Sequence, residues 1–232
     1  MATTHASKPR RQPKTILAPP GAPLADVTTI GDLLKRLGNI PAGRVRLHPT
    51  PGTATEKDVI EILDRENRPC ELVEGTLVEK PVGYGESAIA GLILTSLNNF
   101  VRPRKLGVVT GPDGTIKLFA GLVRIPDVAF ASWDRFPDRK RPKTPIPHLA
   151  PDLVGEVLSK SNTKPEMMRK LGEYFAAGVR LVWMVDPRKR TARVYATVDQ
   201  SVLIKEGQSL DGGAVLPGFV LPLNVLFAND QP

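Results

Sequence analysis

Apolar positions in this chain fall into short runs and helical stripes, and the clearest set lies between Pro151 and Pro187. Leu153 to Leu158 is a short, mostly apolar run of the kind that forms a buried strand. Thr163-Lys-Pro-Glu166 has the Ser/Thr-x-x-Glu form of a capping box, with Pro165 in the first turn, where its missing N–H costs nothing. Met167 to Ala177 then repeats at helical spacing, and Gly178 is a natural C-terminal stop. Val179 to Val185 reads as a second buried strand, ended by Asp186-Pro187. The segment is therefore a predicted strand–helix–strand unit. One position breaks its pattern: Glu156 puts a carboxylate in the middle of an apolar strand, where a charge is expensive unless paired or bound to a cation.

Upstream, Thr28 to Leu37 and Glu56 to Arg65 read as short amphipathic helices joined by a Pro/Gly-punctuated connector. Cys70–Val73 and Thr76–Glu79 flank Glu74-Gly75, a hairpin turn signal. Ile89, Leu92, Ile93, Leu97, Phe100 and Val101 recur as one face of a helix of about four turns, after a loop at Pro81–Gly85. Leu106–Thr110 and Thr115–Phe119 predict strands around Gly111–Gly114. Leu122 to Ala131 predicts one further strand, with Asp127 inside it. Ser132 to Ala150 is a long proline-rich loop, a length usually tied to function or mobility. Ala192–Thr197 and Ser201–Lys205 form a late strand pair, and Val220–Phe227 closes the chain. Strands and helices interleave without repeats, which argues for a mixed α/β sheet flanked by helices.

Composition adds bounds. The 232 residues hold 41 % hydrophobic and 24 % charged side chains, as in an ordinary soluble globular protein. No window approaches the roughly 18 apolar residues of a membrane span, and no apolar core follows the basic N-terminal residues, so a cytoplasmic protein is expected. Cys70 is the only cysteine, which excludes an intrachain disulfide and a Cys-based zinc site. Residues 1–25 carry Lys8, Arg10, Arg11 and Lys14 and five prolines, and read as a disordered basic arm. Residues 26–66 read as an N-terminal helical extension and 67–228 as the main domain. The net charge of +8 fits either a polyanionic partner such as nucleic acid or a basic tail on a solvated surface.

Chemistry concentrates at two carboxylates in apolar surroundings, Asp127 and Glu156. On neighbouring strands they could converge on one hard cation such as Mg²⁺, which polarises a phosphate and activates water. The other reading pairs one acid with an arginine and leaves the second at a strand end. Lys170 lies at the border of the apolar face set by Met167, Met168, Leu171, Tyr174 and Phe175, with Arg169 and Glu173 nearly opposite, where solvated charges belong. It can snorkel to solvent or lean over the strand carrying Glu156; Lys160 and Lys164 are exposed alternatives. Tyr174, Phe175 and both tryptophans read as packing residues.

These residues carry a resemblance. The stretches ELVEGTLVEK (71–80), RIPDVAF (124–130), PDLVGEVLSKS (151–161), RKLGEYFAAGVRLVWMVDP (169–187) and LDGGAVLPGFVLPL (210–223) make the chain similar to the Uma-type restriction endonuclease family, a branch of the PD-(D/E)XK nuclease superfamily. The resemblance covers about Thr28 to Phe227. It implies a restriction-endonuclease-like α/β fold and hydrolysis of DNA phosphodiester bonds with Mg²⁺ or Mn²⁺. Asp127 takes the first signature position and Glu156 the second. Leu158 stands where the superfamily lysine should be, and the resemblance implies that Lys170 supplies it from the following helix. An early hairpin acid, Glu71 or Glu74, is a further candidate, with Glu71 carried as a third metal ligand. Family members often place His where this chain has Glu86. Arg102, Arg104, Lys105, Arg139, Lys140 and Arg141 are candidates for backbone-phosphate contacts. Many nucleases of this fold form homodimers to cut both strands. Leu158 and Glu86 support a rival reading, a catalytically inactive nucleic-acid-binding or assembly protein on the same fold; hydrolysis of a smaller phosphoester is a third.

Overall fold

A computed structural model describes residue 24 and residues 26–81 and 83–228; the basic arm expected over 1–25 lies almost wholly outside them. Two sheets organise the chain. Strands β1 (Cys70–Val73) and β2 (Thr76–Glu79) form the predicted hairpin, and with β4 (Ile116–Phe119) and β5 (Leu122–Arg124) make a four-stranded sheet in the order β2-β1-β5-β4. Strands β3 (Gly107–Thr110), β6 (Val128–Ser132), β7 (Leu153–Val157), β8 (Leu181–Asp186), β9 (Thr191–Tyr195) and β10 (Ser201–Lys205) make a six-stranded sheet in the order β10-β9-β8-β7-β6-β3. Only β7 and β8 pair in parallel, joined by helix α4 (Lys164–Ala176), so the sheet is mixed, as the alternation of elements requires.

Layering follows the side-chain alternation. Leu153 and Val157 of β7 and Leu181, Trp183 and Val185 of β8 face helix α3 (Tyr84–Val101), whose Ile89, Ile93 and Leu97 complete one core with Leu221, Leu223 and Phe227. The alternate residues Val154, Val182 and Met184 face α4, where Met167, Leu171 and Tyr174 meet Leu33 of helix α1 (Ile30–Arg36), its C-cap Leu37 and the edge of the four-stranded sheet. Helix α2 (Glu56–Glu66) covers the far side of that sheet with Val59 and Ile62. The closing segment expected over Val220–Phe227 is strand β12 (Val220–Pro222), paired with β11 (Ser209–Asp211), followed by the short helix α5 (Leu223–Leu226).

Two expectations are overturned. The single strand predicted over Leu122–Ala131 is two strands in different sheets, β5 and β6, with Ile125-Pro126-Asp127 crossing between them. Pro126 has no N–H to donate to a ladder, so pairing stops there, and Asp127 sits at the crossing rather than within a strand. The second is the face of α4 with Arg169 and Glu173, predicted to be solvated. Glu173 is buried and Arg169 half-buried, because the four-stranded sheet and α1 pack over them.

The N-terminus of α4 has the predicted capping box, the Thr163 hydroxyl accepting from the backbone N of Glu166. The same hydroxyl donates to the carbonyl of Gly38, which holds α1 against α4. Gly38 has φ +93° and lies so close that an added Cβ would stand 2.6 Å from the Glu166 Cα. Gly38→Ala should therefore lower stability by about 2 kcal/mol, combining a left-handed backbone with a contact that cannot open locally. Urea denaturation followed by circular dichroism checks it, and a change below about 0.5 kcal/mol would contradict the close approach.

Candidate active site

Asp127 reaches the site from the crossing between the sheets. Its Oδ2 accepts from the backbone N of Val157 at 2.7 Å, which fixes the carboxylate against β7 beside Glu156. Its Oδ1 pairs with Lys80 Nζ at 2.9 Å, and the same ammonium donates to the Pro112 carbonyl at 2.9 Å. Glu156 alternates with Gly155 and Val157, so it points to the α4 side of the sheet. There its Oε1 accepts from the Tyr174 hydroxyl at 2.5 Å and from Lys170 Nζ at 3.3 Å.

Lys170 does not snorkel. It is 3 % exposed and pairs more closely with Glu71 Oε1, at 2.9 Å, than with Glu156. Glu71 has no idle oxygen: Oε1 also accepts from the Ile125 backbone N at 3.1 Å, and Oε2 takes Arg124 at 2.7 Å. From Arg124 the charges alternate outward, to Glu173 (2.8 Å), Arg169 (2.8 Å), Glu74 (2.7 Å) and Arg36 of α1 (2.5 Å). Sites of this kind must be fully partnered, because one missing member leaves a buried charge uncompensated.

The two acids flanking Lys170 behave oppositely. Burial would raise the Glu71 pKa, but Lys170 and Arg124 outweigh it and hold the carboxyl well below the usual range. Glu156 is raised, chiefly by burial, and the charges of Asp127 and Glu71 add to the rise against the pull of Lys170 and Lys80. Lys170 is raised although burial alone would lower it, because Glu156 and Glu71 surround it, so it stays an ammonium. Burial and the same two acids push the Tyr174 hydroxyl up, leaving it a proton donor to Glu156. Burial is thus the dominant influence on Glu156.

The sequence candidates Asp127, Glu156, Lys170 and Glu71 are brought together. Among the described residues no group of three or more His, Cys, Asp or Glu forms a metal cluster. The fit to a divalent ion rests instead on the Asp127 and Glu156 carboxylates, hard oxygen donors of the kind Mg²⁺ takes. Glu71, the third ligand expected from the resemblance, has both oxygens on Lys170, the Ile125 N–H and Arg124. Glu86 lies half-buried in the first turn of α3.

The basic candidates lie elsewhere. Arg102, Arg104 and Lys105 follow α3, and the register Gly107↔Ser132 places them at the far end of β6 from Asp127. Arg139 sits in a tight 3-10 turn just after that end, paired with Asp134 at 3.2 Å, and Lys140 and Arg141 continue exposed. Five residues of β6 at about 3.3 Å each separate the two ends by about 17 Å. Lys160, Lys164, Arg188 and Lys189 are exposed at the near end, beyond the C-termini of the parallel strands β7 and β8.

Three contributors escape sequence reading. Lys80 looks like a solvated strand-end lysine, Tyr174 like packing, and Arg124 like an alternating strand position. The one available signal is that Lys80 and Arg124 both fall inside the quoted stretches 71–80 and 124–130.

A family model described as "Uma2: Putative restriction endonuclease" matches residues 57–224. Among solved structures, a putative nuclease belonging to DUF820 from Anabaena variabilis ATCC 29413 superposes with a TM-score of 0.62 at 21 % identity, covering 69 % of this chain and 90 % of that one. That likeness establishes a shared fold. No curated protein matches the chain.

Proposed function

The chain belongs to the Uma2 family of putative restriction endonucleases, and from that premise we propose a divalent-metal-dependent endonuclease that hydrolyses DNA phosphodiester bonds. The observation that carries this reading is the Asp127 carboxylate fixed to the Val157 N–H, next in β7 to Glu156, with Lys170 in contact with Glu156. Asp127 and Glu156 would hold Mg²⁺ or Mn²⁺, which supplies Lewis-acid polarisation of the phosphate and a more acidic water.

Everything else is done by the chain's own residues. Lys170, held as an ammonium, stabilises negative charge developing on the phosphate and orients the attacking water; it is too firmly protonated to act as a general base. Glu71 positions Lys170 by the closer of its two carboxylate contacts, and Arg124 fixes Glu71 in turn. Tyr174 fixes the Glu156 carboxyl by donating to Oε1. Lys160, Lys164, Arg188 and Lys189 supply non-specific phosphate contacts beside the site. The patch of Arg102, Arg104, Lys105, Arg139, Lys140 and Arg141 meets the backbone about five base-pair steps further along, at about 3.4 Å per step. Among the described residues no helix is long and apolar enough to cross a membrane.

Purified protein should relax and linearise supercoiled plasmid in Mg²⁺ or Mn²⁺ and not in EDTA. Lys170→Met should slow cleavage by roughly 10²-fold, the loss typical of a removed charge-stabilising donor. No cleavage under any metal condition, with salt-sensitive DNA binding retained, would support the non-catalytic binding protein instead. Cleavage of small phosphoesters but not of plasmid would reassign the substrate.

A further inference from the structure

Lys80 is the one buried cation at the site that the mechanism above leaves without a task. Its side chain is 6 % exposed, and its ammonium touches Asp127 Oδ1 and the Pro112 carbonyl, both at 2.9 Å. Asp127 itself is more open, at 16 % side-chain exposure, and its second oxygen is committed to the Val157 N–H. Oδ1 is therefore the atom this carboxylate has to offer a cation, and Lys80 already occupies it. At Glu156 the lysine contact is looser, since Lys170 lies 3.3 Å from Oε1 and closer to Glu71, at 2.9 Å, and no hydrogen bond reaches Oε2 among the described residues.

A buried lysine–carboxylate pair of this kind is weak evidence for stability, because desolvation offsets most of the attraction. It is a strong determinant of what else can bind there. A divalent ion approaching Oδ1 must displace the ammonium or share the oxygen with it at like-charge distance. We propose that Lys80 is a resident counter-ion of the metal site, which holds Asp127 in place and competes with the divalent cation for its Oδ1. Lys80 is thus a positioning residue that weakens metal affinity, and the Pro112 carbonyl keeps its ammonium nearby when the oxygen is taken. The inference rests on the metal-site reading of Asp127 and Glu156.

Calorimetric titration of Mn²⁺ into the metal-stripped full chain tests it. Lys80→Met, and Lys80→Gln as a variant that can still donate to Pro112, should bind Mn²⁺ roughly tenfold more tightly than the unaltered protein, since a charge within about 4–6 Å shifts a competing equilibrium by one or more decades. Lys80→Arg should not. The gain is the discriminating sign, because damage to the fold would weaken binding. In cleavage assays the Mg²⁺ concentration at half-maximal rate should fall in parallel. Unaltered protein that binds Mn²⁺ no less tightly than both variants would overturn the role of Lys80 and leave the metal site standing. Absence of Mn²⁺ binding in all of them, and in Asp127→Ala, would overturn the metal site and Lys80's role with it.

Discussion

Asp127→Asn is expected to abolish DNA cleavage, by about 10³-fold or more, and to lower the melting temperature, though by less than Glu156→Gln, because the Lys80–Asp127 pair it breaks is the more exposed of the two sites. The amide oxygen of Asn can still accept from the Val157 N–H, so the crossing between the sheets keeps its anchor. The lost group is the anionic oxygen at Lys80, and with it half of the carboxylate pair on which metal binding depends. Removing one pre-positioned charge-stabilising element typically costs about 10²–10³ in rate, and a metal ligand should exceed that because the Lewis acid goes with it. Glu156→Gln should be as inactive, and its melting temperature should move further, since Lys170 and Tyr174 are both built around that carboxylate. Plasmid cleavage measured beside thermal unfolding checks both. Asp127→Asn retaining cleavage within tenfold of the unaltered protein would sink the site assignment.

Arg124→Met should lower folding stability by about 3–5 kcal/mol, the range for stripping one partner from a buried ion network. Arg124 is 3 % exposed and holds Glu71 at 2.7 Å and Glu173 at 2.8 Å. Its loss leaves Glu173 with Arg169 alone and Glu71 with Lys170 and one backbone N–H. The attribution can be checked internally. Adding Glu173→Gln should recover part of the loss, because the second change removes a charge that the first one stranded; residues in one network show couplings of about 0.5–3 kcal/mol. Guanidinium denaturation of the two single variants and the double variant reads the cycle. A loss below about 1 kcal/mol for Arg124→Met would mean that water or a rearranged Arg169 fills the gap. Activity should fall too, since Glu71 positions Lys170.

The strand–helix–strand unit was legible because each part has a local cause: the capping box at Thr163, the stop at Gly178, the apolar runs of β7 and β8. Its misfit, Glu156, pointed to the site for the same reason, since a carboxylate among apolar neighbours stands out without knowledge of the fold. What the sequence hides is long-range. The break after Arg124 depends on which sheet receives each half of the segment, and Pro126 alone does not say that the halves part company. Arg169 and Glu173 look solvated on an isolated helix, and only the second sheet laid across them makes them interior. Lys80 is the sharpest case. It lies 47 positions before Asp127 in the chain, and no periodicity links a strand-end lysine in one hairpin to an acid at the entry of another sheet.

Helix α1 has a practical consequence. The family span begins at residue 57, just inside α2, and leaves α1 out. Yet Leu33 and Leu37 fill the same core as Leu171 and Tyr174, the Arg36 carbonyl receives Arg169, and the Arg36 side chain ends the charge chain on Glu74. A fragment trimmed to the homologous span would uncover the back of the helix that carries Lys170. The length shared by relatives and the length needed to fold are different quantities here, and a minimal active fragment has to start before Thr28.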